Sequence, residues 1–257
     1  MTHGLKIETS DQITTITLDD PGTLNALTPT LAKALADALT SAETSSRVVI
    51  LTGSSRAFCS GANLQGDGDS NLQNSDAGSA LDHAYNPLML TIRNLNIPLI
   101  TAISGPAAGI GASIAMAGDI VIAGQNSYFL EAFCHIGLVP DGGATWMLVQ
   151  NVGRVRAAEL ALLGEKLSAQ QAFDWGMITR VVEDAAVMST AQEYAKRLAK
   201  GPTHALGLMR KLLWAAGDAS FETQLAAESS AQSAAGRHPH FAEGVAAFLE
   251  KRKANFD

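Results

Sequence analysis

The run from Asn94 to Gly118, NLNIPLITAISGPAAGIGASIAMAG, contains no charged side chain. A stretch this apolar and this long must either cross a membrane or be buried inside a folded domain. Pro98, Pro106 and the glycines at 105, 109, 111 and 118 argue against an uninterrupted spanning helix. Read locally, IPLITAI is a short buried strand, SGPAAG a turn, and IGASIAMAG the first turns of a helix whose small side chains allow close approach to a sheet. The chain is therefore expected to be α/β.

The same order recurs on either side. LKIET and ITTITLDD alternate as the arms of a hairpin, and Asp20-Pro21-Gly22 then turns the chain. Pro29 to Ala42 has the apolar spacing of an amphipathic helix, with Thr28 as N-cap and Pro29 at the first helical position. RVVILTG reads as a buried strand, a helix is expected from about Ala80 to Leu95, and DIVIAG follows as another strand. Gly66 to Ser79 is polar and glycine-rich, the composition of a surface loop that covers a site. After VPDGG a helix runs to about Gln150, and RVRAAELALLG forms another that stops at Gly164. Ser168 and Gln171 have capping-box spacing before the strand MITRVVE. Beyond Asp184 the pattern is helical, broken by Gly201-Pro202, Gly217 and His238-Pro239 into four helices.

Composition narrows the partners. In 257 residues the formal charge is -7, which disfavours nucleic acid, and 47% of the chain is hydrophobic, enough for a sizeable core. Cys59 and Cys134 stand far apart without metal-ligand spacing, so neither a disulfide framework nor a metal site is expected. With no secretion signal or membrane span in the pattern, the expected location is the cytoplasm.

The glycine turn does not fit a dinucleotide fingerprint, because Ile114 occupies the last glycine position of G-x-G-x-x-G. Such a turn can instead aim bare peptide N–H groups at a developing negative charge. A second turn, SSRAFCSGANL (Ser54 to Leu64), follows the strand VVILTG and again places small residues around a glycine. Two N–H groups converging on one carbonyl oxygen would form an oxyanion hole for an ester or thioester.

Four segments, TLNAL, AFCSGANL, GPAAGIGASIAMAGDIVIA and GLVPDGGATW, resemble the crotonase (enoyl-CoA hydratase/isomerase) superfamily, and the resemblance covers nearly the whole chain. It implies a crotonase-like ββα spiral core over residues 1–195 and a helical C-terminal oligomerisation region over 196–257, assembled as a homotrimer or a dimer of trimers. It also implies an acyl-CoA thioester substrate, with coenzyme A as part of that substrate and no other cofactor, no metal, no nucleic acid and no membrane partner. The oxyanion donors map onto the N–H groups of Ala62 and Ile110. The coenzyme A contacts map onto Leu24, Ala26, Arg56, Ala62, Asn63 and Leu64, with Phe248 and Lys251 of FLEKRK reaching the ligand of a neighbouring subunit. Glycine is usual in the family where Ile110 stands, so this side chain must turn away from the ligand.

The glutamates that activate water in the family's hydratases fall on Ser113 and Phe133, neither of which is an acid or base. Ser113 reads as a helix-face hydroxyl bonded to the preceding turn rather than a nucleophile. Asp141, in LVPDGG, stands where several family isomerases carry their proton-shuttling carboxylate; its other reading is an N-cap for the helix that follows. Asp119 reads as a structural turn residue. Three functions remain in contention: an isomerase that shifts a proton or double bond or opens a ring epoxide through a thioester enolate, an enoyl-CoA hydratase, and an inactive acyl-CoA-binding paralogue.

Overall fold

The computed structural model describes residues 4–54, 56–64 and 77–256. Most of the Gly66–Ser79 stretch, residues 66–76, lies outside them. Strands β1 (Leu5–Ser10) and β2 (Ile13–Leu18) form the expected hairpin, paired from Leu5 with Leu18 to Ser10 with Ile13. The remaining strands of the main sheet, β3 (Val48–Gly53), β4 (Leu99–Ile103), β6 (Ile120–Gly124) and β9 (Arg180–Val182), run parallel to β2 in the order β1-β2-β3-β4-β6-β9.

Parallel strands buried on both faces need helices above and below, and the two faces of β3 show the division. Val49 and Leu51 pack with Leu35, Leu39, Leu88 and Ile92 from helices α1 (Pro29–Ser45) and α3 (Asn86–Asn94), whereas Val48 and Ile50 pack with Val187, Ala191 and Ala195 of α7 (Val187–Ala199). Thr28 caps α1 through its hydroxyl, which accepts a hydrogen bond from Leu31 N at 3.1 Å.

The helix expected over Ala80–Leu95 is broken into a short α2 (Ala77–Ala80), a π turn over Leu81–Tyr85, and α3. Pro87 has no N–H to continue the regular ladder, which accounts for the local irregularity. The turn SGPAAG contains a three-residue strand, β5 (Pro106–Ala108), in a second sheet with β7 (Tyr128–Leu130) and β8 (Lys166–Ser168). Its partners come from later in the chain, so local pattern gave no sign of it. The two helices expected after VPDGG form one element, α5 (Ala144–Leu163), kinked at Gly153, where φ is 78°. Ser168 caps α6 (Ala169–Asp174) by accepting from Gln171 N at 3.2 Å.

The helical tail comprises α7, α8 (Thr203–Ala216), α9 (Phe221–Gly236) and α10 (Pro239–Leu249), with breaks where Gly201-Pro202, Gly217 and His238-Pro239 predicted them. The division between residues 195 and 196 falls inside α7. No helix among the described residues is long and apolar enough to cross a membrane.

One buried cation locks the tail to the core. The Arg210 side chain is only 2% exposed; its Nε lies 2.7 Å from Asp119 Oδ2, and its guanidinium donates to the carbonyls of Ile92, Arg93 and Leu95. Asp119 also accepts from Leu99 N at 2.8 Å, which makes it the structural residue its sequence context suggested. Removing the guanidinium leaves the carbonyls of Ile92, Arg93 and Leu95 without their donor and Asp119 without its counter-charge. Arg210→Ala is therefore expected to cost about 3–5 kcal/mol, read as a lowered midpoint in urea unfolding, and Arg210→Lys should recover little of it because an ammonium cannot span the same carbonyls.

Candidate active site

The two glycine turns meet. Past the end of β3, Phe58 N donates to Pro106 O at 3.0 Å and Ala108 N donates to Cys59 O at 2.9 Å, so the Cys59 and Ala107 segments run side by side in parallel. They arrive together at Gly61-Ala62 and Gly109-Ile110. Gly61 has φ +109° and Gly109 φ +50°, conformations that an L side chain rarely adopts. A Cβ on Gly61 would lie 3.1 Å from Ala108 O, and one on Gly109 would lie 3.8 Å from Gly61 Cα. The first of these is tighter than an ordinary Cβ contact, and with the positive φ values it favours glycine at both turns.

Beyond the two glycines, the peptide N–H groups of Ala62 and Ile110 are left without a protein acceptor among the described residues. Ile110 is the first residue of α4 (Ile110–Met116), where helical geometry supplies no acceptor for its N–H. Its side chain is fully buried and turned into the core. The residue thus presents its backbone to the site without obstructing it.

TLNAL holds the first turn in place. Leu27 N donates to Gly61 O at 2.8 Å, Asn63 N to Leu27 O at 2.9 Å, and Ser60 N to Leu24 O at 3.1 Å. Asn25, fully buried, accepts from Asp20 N at 2.9 Å and donates to the carbonyls of Ala57 and Ser54 at 2.8 and 3.1 Å. Leu24 and Asn25 both have positive φ, 57° and 60°; asparagine tolerates this conformation, whereas leucine rarely adopts it. Asn25 was quoted in the sequence motif without a role. Its signal was an amide inside a turn between apolar neighbours.

Asp141 approaches α4 from the other side. The hydroxyl of Ser113, a fully buried residue of α4, donates to Asp141 O at 2.9 Å, and that carbonyl also accepts from Ala144 N at 3.0 Å. Ser113 is thereby a tether for the Asp141 loop. Gly142 has φ +60°, and a Cβ there would run into Ile110 Cδ1, so the loop packs directly on the Ile110 side chain. The N-cap of α5 is Gly143 with no side-chain cap, and Asp141 Oδ1 is buried without a partner. The helix-cap reading of Asp141 does not hold: its side chain is spare. Burial pushes its carboxyl from the usual 3.8 up to about 6.

Phe133, in the 3-10 turn Ala132–Ile136, lies against Gly109; a Cβ on that glycine would be 3.4 Å from its Cζ. Glu131, two residues earlier, was not singled out from the sequence. It is 4% exposed, and neither carboxylate oxygen has a hydrogen-bond partner. The signal lay in strand alternation: Glu131 follows Phe129 by two residues and shares its inward face.

Of the positions matched to coenzyme A binding, Leu24, Ala26, Ala62, Asn63 and Leu64 are gathered by the pairing of Leu27 with Ala62, and Arg56 lies exposed in the same turn. Phe248 and Lys251 lie at the exposed end of α10, with Phe248 83% accessible. Among the described residues no hydrogen bond or ion pair joins them to the two turns.

A site built of two uncommitted peptide N–H groups and a half-buried carboxyl, on a mixed sheet with a helical tail, fits the crotonase fold. The sequence matches the enoyl-CoA hydratase/isomerase family over residues 8–257, and the chain belongs to that family of enzymes. It is similar to 1,2-epoxyphenylacetyl-CoA isomerase of Escherichia coli K12, with 42% identity covering 95% of this chain and 94% of the relative. It is also 39% identical to a Rhodobacter capsulatus protein named "Probable enoyl-CoA hydratase", covering 99% of this chain and 98% of that one. The crystal structure of an enoyl-CoA hydratase from Polaromonas sp. JS666 superposes with a TM-score of 0.91 at 34% identity, covering 98% of each chain.

Because Asn25 satisfies several buried backbone groups at once, Asn25→Ala should lower stability by about 2–3 kcal/mol, read by thermal or urea unfolding. The same variant should bind acyl-CoA more weakly, since the Ala57 carbonyl it holds lies on the segment leading into Ala62.

Proposed function

We propose that the protein is an acyl-CoA isomerase. In this reading the thioester carbonyl oxygen accepts hydrogen bonds from Ala62 N–H and Ile110 N–H, which strengthen as the enolate forms. Asp141 takes a proton from the carbon next to the carbonyl and returns it further along the conjugated system. Bonds and charges balance: the C–H pair becomes the enolate, its negative charge resides on the oxygen held by the two N–H groups, and Asp141 is neutral until the proton leaves it.

The observation that carries this reading is the state of Asp141, a half-buried carboxyl with Oδ1 shielded from solvent, whose side chain is not spent on capping or on an ion pair and whose loop rests on the residue that supplies the second N–H. The positions matched to the hydratase glutamates hold Ser113, whose hydroxyl is committed to the Asp141 carbonyl, and Phe133. The similarity to an epoxide-handling isomerase favours an aromatic or ring-epoxide acyl group and a place in phenylacetate degradation, ahead of a straight-chain 3-enoyl group from fatty acid metabolism. The hydratase reading has support of its own, in the relatives that carry that name and in the second carboxyl, Glu131, that the fold buries close to Asp141. The inactive-paralogue reading is weakened by the retention of that spare carboxyl beside two uncommitted donors.

Assays against a panel of acyl-CoA thioesters separate these readings. Asp141→Asn should abolish isomerisation while keeping acyl-CoA affinity within a few fold; a wild-type rate in this variant would reject the mechanism. Because only the ionised carboxylate accepts a proton, wild-type kcat/KM should rise with pH through about 6 and reach its plateau by neutral pH. The stability change has the opposite sign: a carboxyl raised from 3.8 to about 6 on folding loses its favourable contribution as pH climbs through that window, so Asp141→Asn should not be less stable than wild type at neutral pH. Crotonyl-CoA should be hydrated negligibly, and turnover of about 10 per second or more, an ordinary enzyme rate, would establish the hydratase instead.

The C-terminal helices fit an assembly of several copies. Phe248, Leu249 and Phe241 are 83, 73 and 57% exposed on α10, apolar surface of the kind that partner subunits cover. In a homotrimer or pair of trimers, Phe248 and Lys251 would meet the coenzyme A of a neighbouring copy, with Arg56 contributing from its own chain. Removing residues from Phe241 onward should weaken oligomerisation and coenzyme A binding together, measured by light scattering and ligand titration. A truncated chain that still assembles and binds normally would exclude this role.

A further inference from the structure

Glu131 is a buried carboxyl that the mechanism above does not use. It follows β7 directly, and β7 is fixed to the site because Gly109 N donates to Leu130 O at 2.9 Å. Asp141 reaches the same helix, α4, through the Ser113 tether. The two carboxyls thus come to α4 from separate segments, and the negative charge of Asp141 adds to the burial that holds the Glu131 proton.

The rest of Glu131's surroundings are apolar. It lines a small cavity of about 10 Å³ with Met116 of α4, Phe129 and Leu130 of β7, Leu148 and Leu160 of α5, Leu167 of β8, and Met177 ahead of β9. The side chains lining it with Glu131 are all apolar, and among the described residues no hydrogen-bond donor reaches either carboxylate oxygen; Asp141 stands outside this lining, and its negative charge adds to the effect of burial. Both Glu131 oxygens and Asp141 Oδ1 are buried without partners. A lone ionised carboxylate in such a place is strongly disfavoured, and two side by side more so.

We propose that Glu131 is a positioning residue for the Asp141 base: it stands in the site with its proton on, limits the buried pair to a single negative charge, and closes the working range of Asp141 on the alkaline side when that proton is lost. The proposal builds on the isomerase reading for what Asp141 does, but not for the pairing itself. Burial, reinforced by the negative charge of Asp141, pushes Glu131 from 4.5 up to about 9, while Asp141 sits at about 6. Between these values the pair holds one proton, carried by Glu131, and Asp141 is free to act. Above them Glu131 becomes a buried charge facing a second charge, and the packing that holds β7 against Gly109 must open to water.

Infrared spectroscopy of the full-length protein tests the pairing without any substrate. The wild type should show the carbonyl stretch of a protonated carboxylic acid at pH 7 that disappears near pH 9 and is missing in Glu131→Gln. In Asp141→Asn the band should vanish at lower pH, because the neighbouring charge is gone, yet still well above the ordinary glutamate range, because burial remains. Absence of the band at pH 7, or an unchanged midpoint in Asp141→Asn, would overturn the proposal.

Two further measurements separate this role from simple packing. Glu131→Gln should keep the rise of kcat/KM near pH 6 and lose the fall near pH 9; a fall that persists in this variant would also overturn the proposal. The stability sign is fixed by the raised carboxyl: its contribution is full below 4.5 and is lost as pH rises toward 9, so Glu131→Gln should gain stability over wild type between pH 5 and 8. If Asp141→Asn retained wild-type turnover while the infrared shifts appeared as described, the isomerase mechanism would fail and the carboxyl pair would stand.

Discussion

The fold is organised around leaving two peptide N–H groups unsatisfied side by side. Buried donors are almost always paired, so keeping Ala62 N and Ile110 N free requires the chain to turn sharply at both places and to prevent each turn from closing on itself. Gly61 and Gly109 make those turns in conformations other residues avoid, and a Cβ on either would come within 4.0 Å of the other's Cα. The parallel run of Cys59 beside Ala107 delivers both turns to one point, and it in turn depends on β3 and β4 lying next to each other in the sheet. The small β5-β7-β8 sheet is tied to the same point through the bond from Gly109 N to Leu130 O.

Around that point the protein concentrates carboxyls where water is scarce. Among the described residues neither Asp141 nor Glu131 is paired with a cation, in contrast to Asp119, a partly exposed acid that receives the buried Arg210 guanidinium. The comparison separates two uses of an acid. Where the charge is answered by an arginine and backbone groups, it holds elements together; where it is left unanswered, the carboxyl keeps its proton to higher pH, closer to neutrality. Ser113 and Ile110 belong to the first kind of work. One ties the Asp141 carbonyl, and the other supplies the surface on which Gly142 rests, so both help determine where the spare carboxyl stands.

The helical tail is attached with similar economy. Helix α7 closes the second face of the sheet with small side chains, Ala191, Ala195 and Ala199, that allow close contact. Arg210 then secures α8 to the end of α3, and α9 and α10 continue outward with much of their apolar surface uncovered. Burial therefore falls along the tail in the direction of Phe248, the residue matched to a neighbouring subunit's ligand.

Much of this could be read from local chemistry. Strand and helix periodicity located the hairpin, α1, β3, β4, β6 and the four terminal helices, because each depends on side-chain spacing and on breakers such as Pro29, Gly201-Pro202 and His238-Pro239 within a few residues. Glycines in small-residue turns pointed to peptide N–H groups left without acceptors, and the family resemblance singled out Ala62 and Ile110, whose N–H groups are uncommitted among the described residues. Tertiary structure decided what local pattern cannot encode. The strand Pro106–Ala108 exists only because Tyr128–Leu130 lies beside it, and Asp141 is a spare acid rather than a cap only because Gly143 starts the helix. Glu131 becomes a buried partner of Asp141 only when β7 and the LVPDGG loop are brought to the same helix. Hydrogen bonding and desolvation between distant segments depend on distance in space, whereas the spacing of residues along the chain records only which neighbours each can reach by itself.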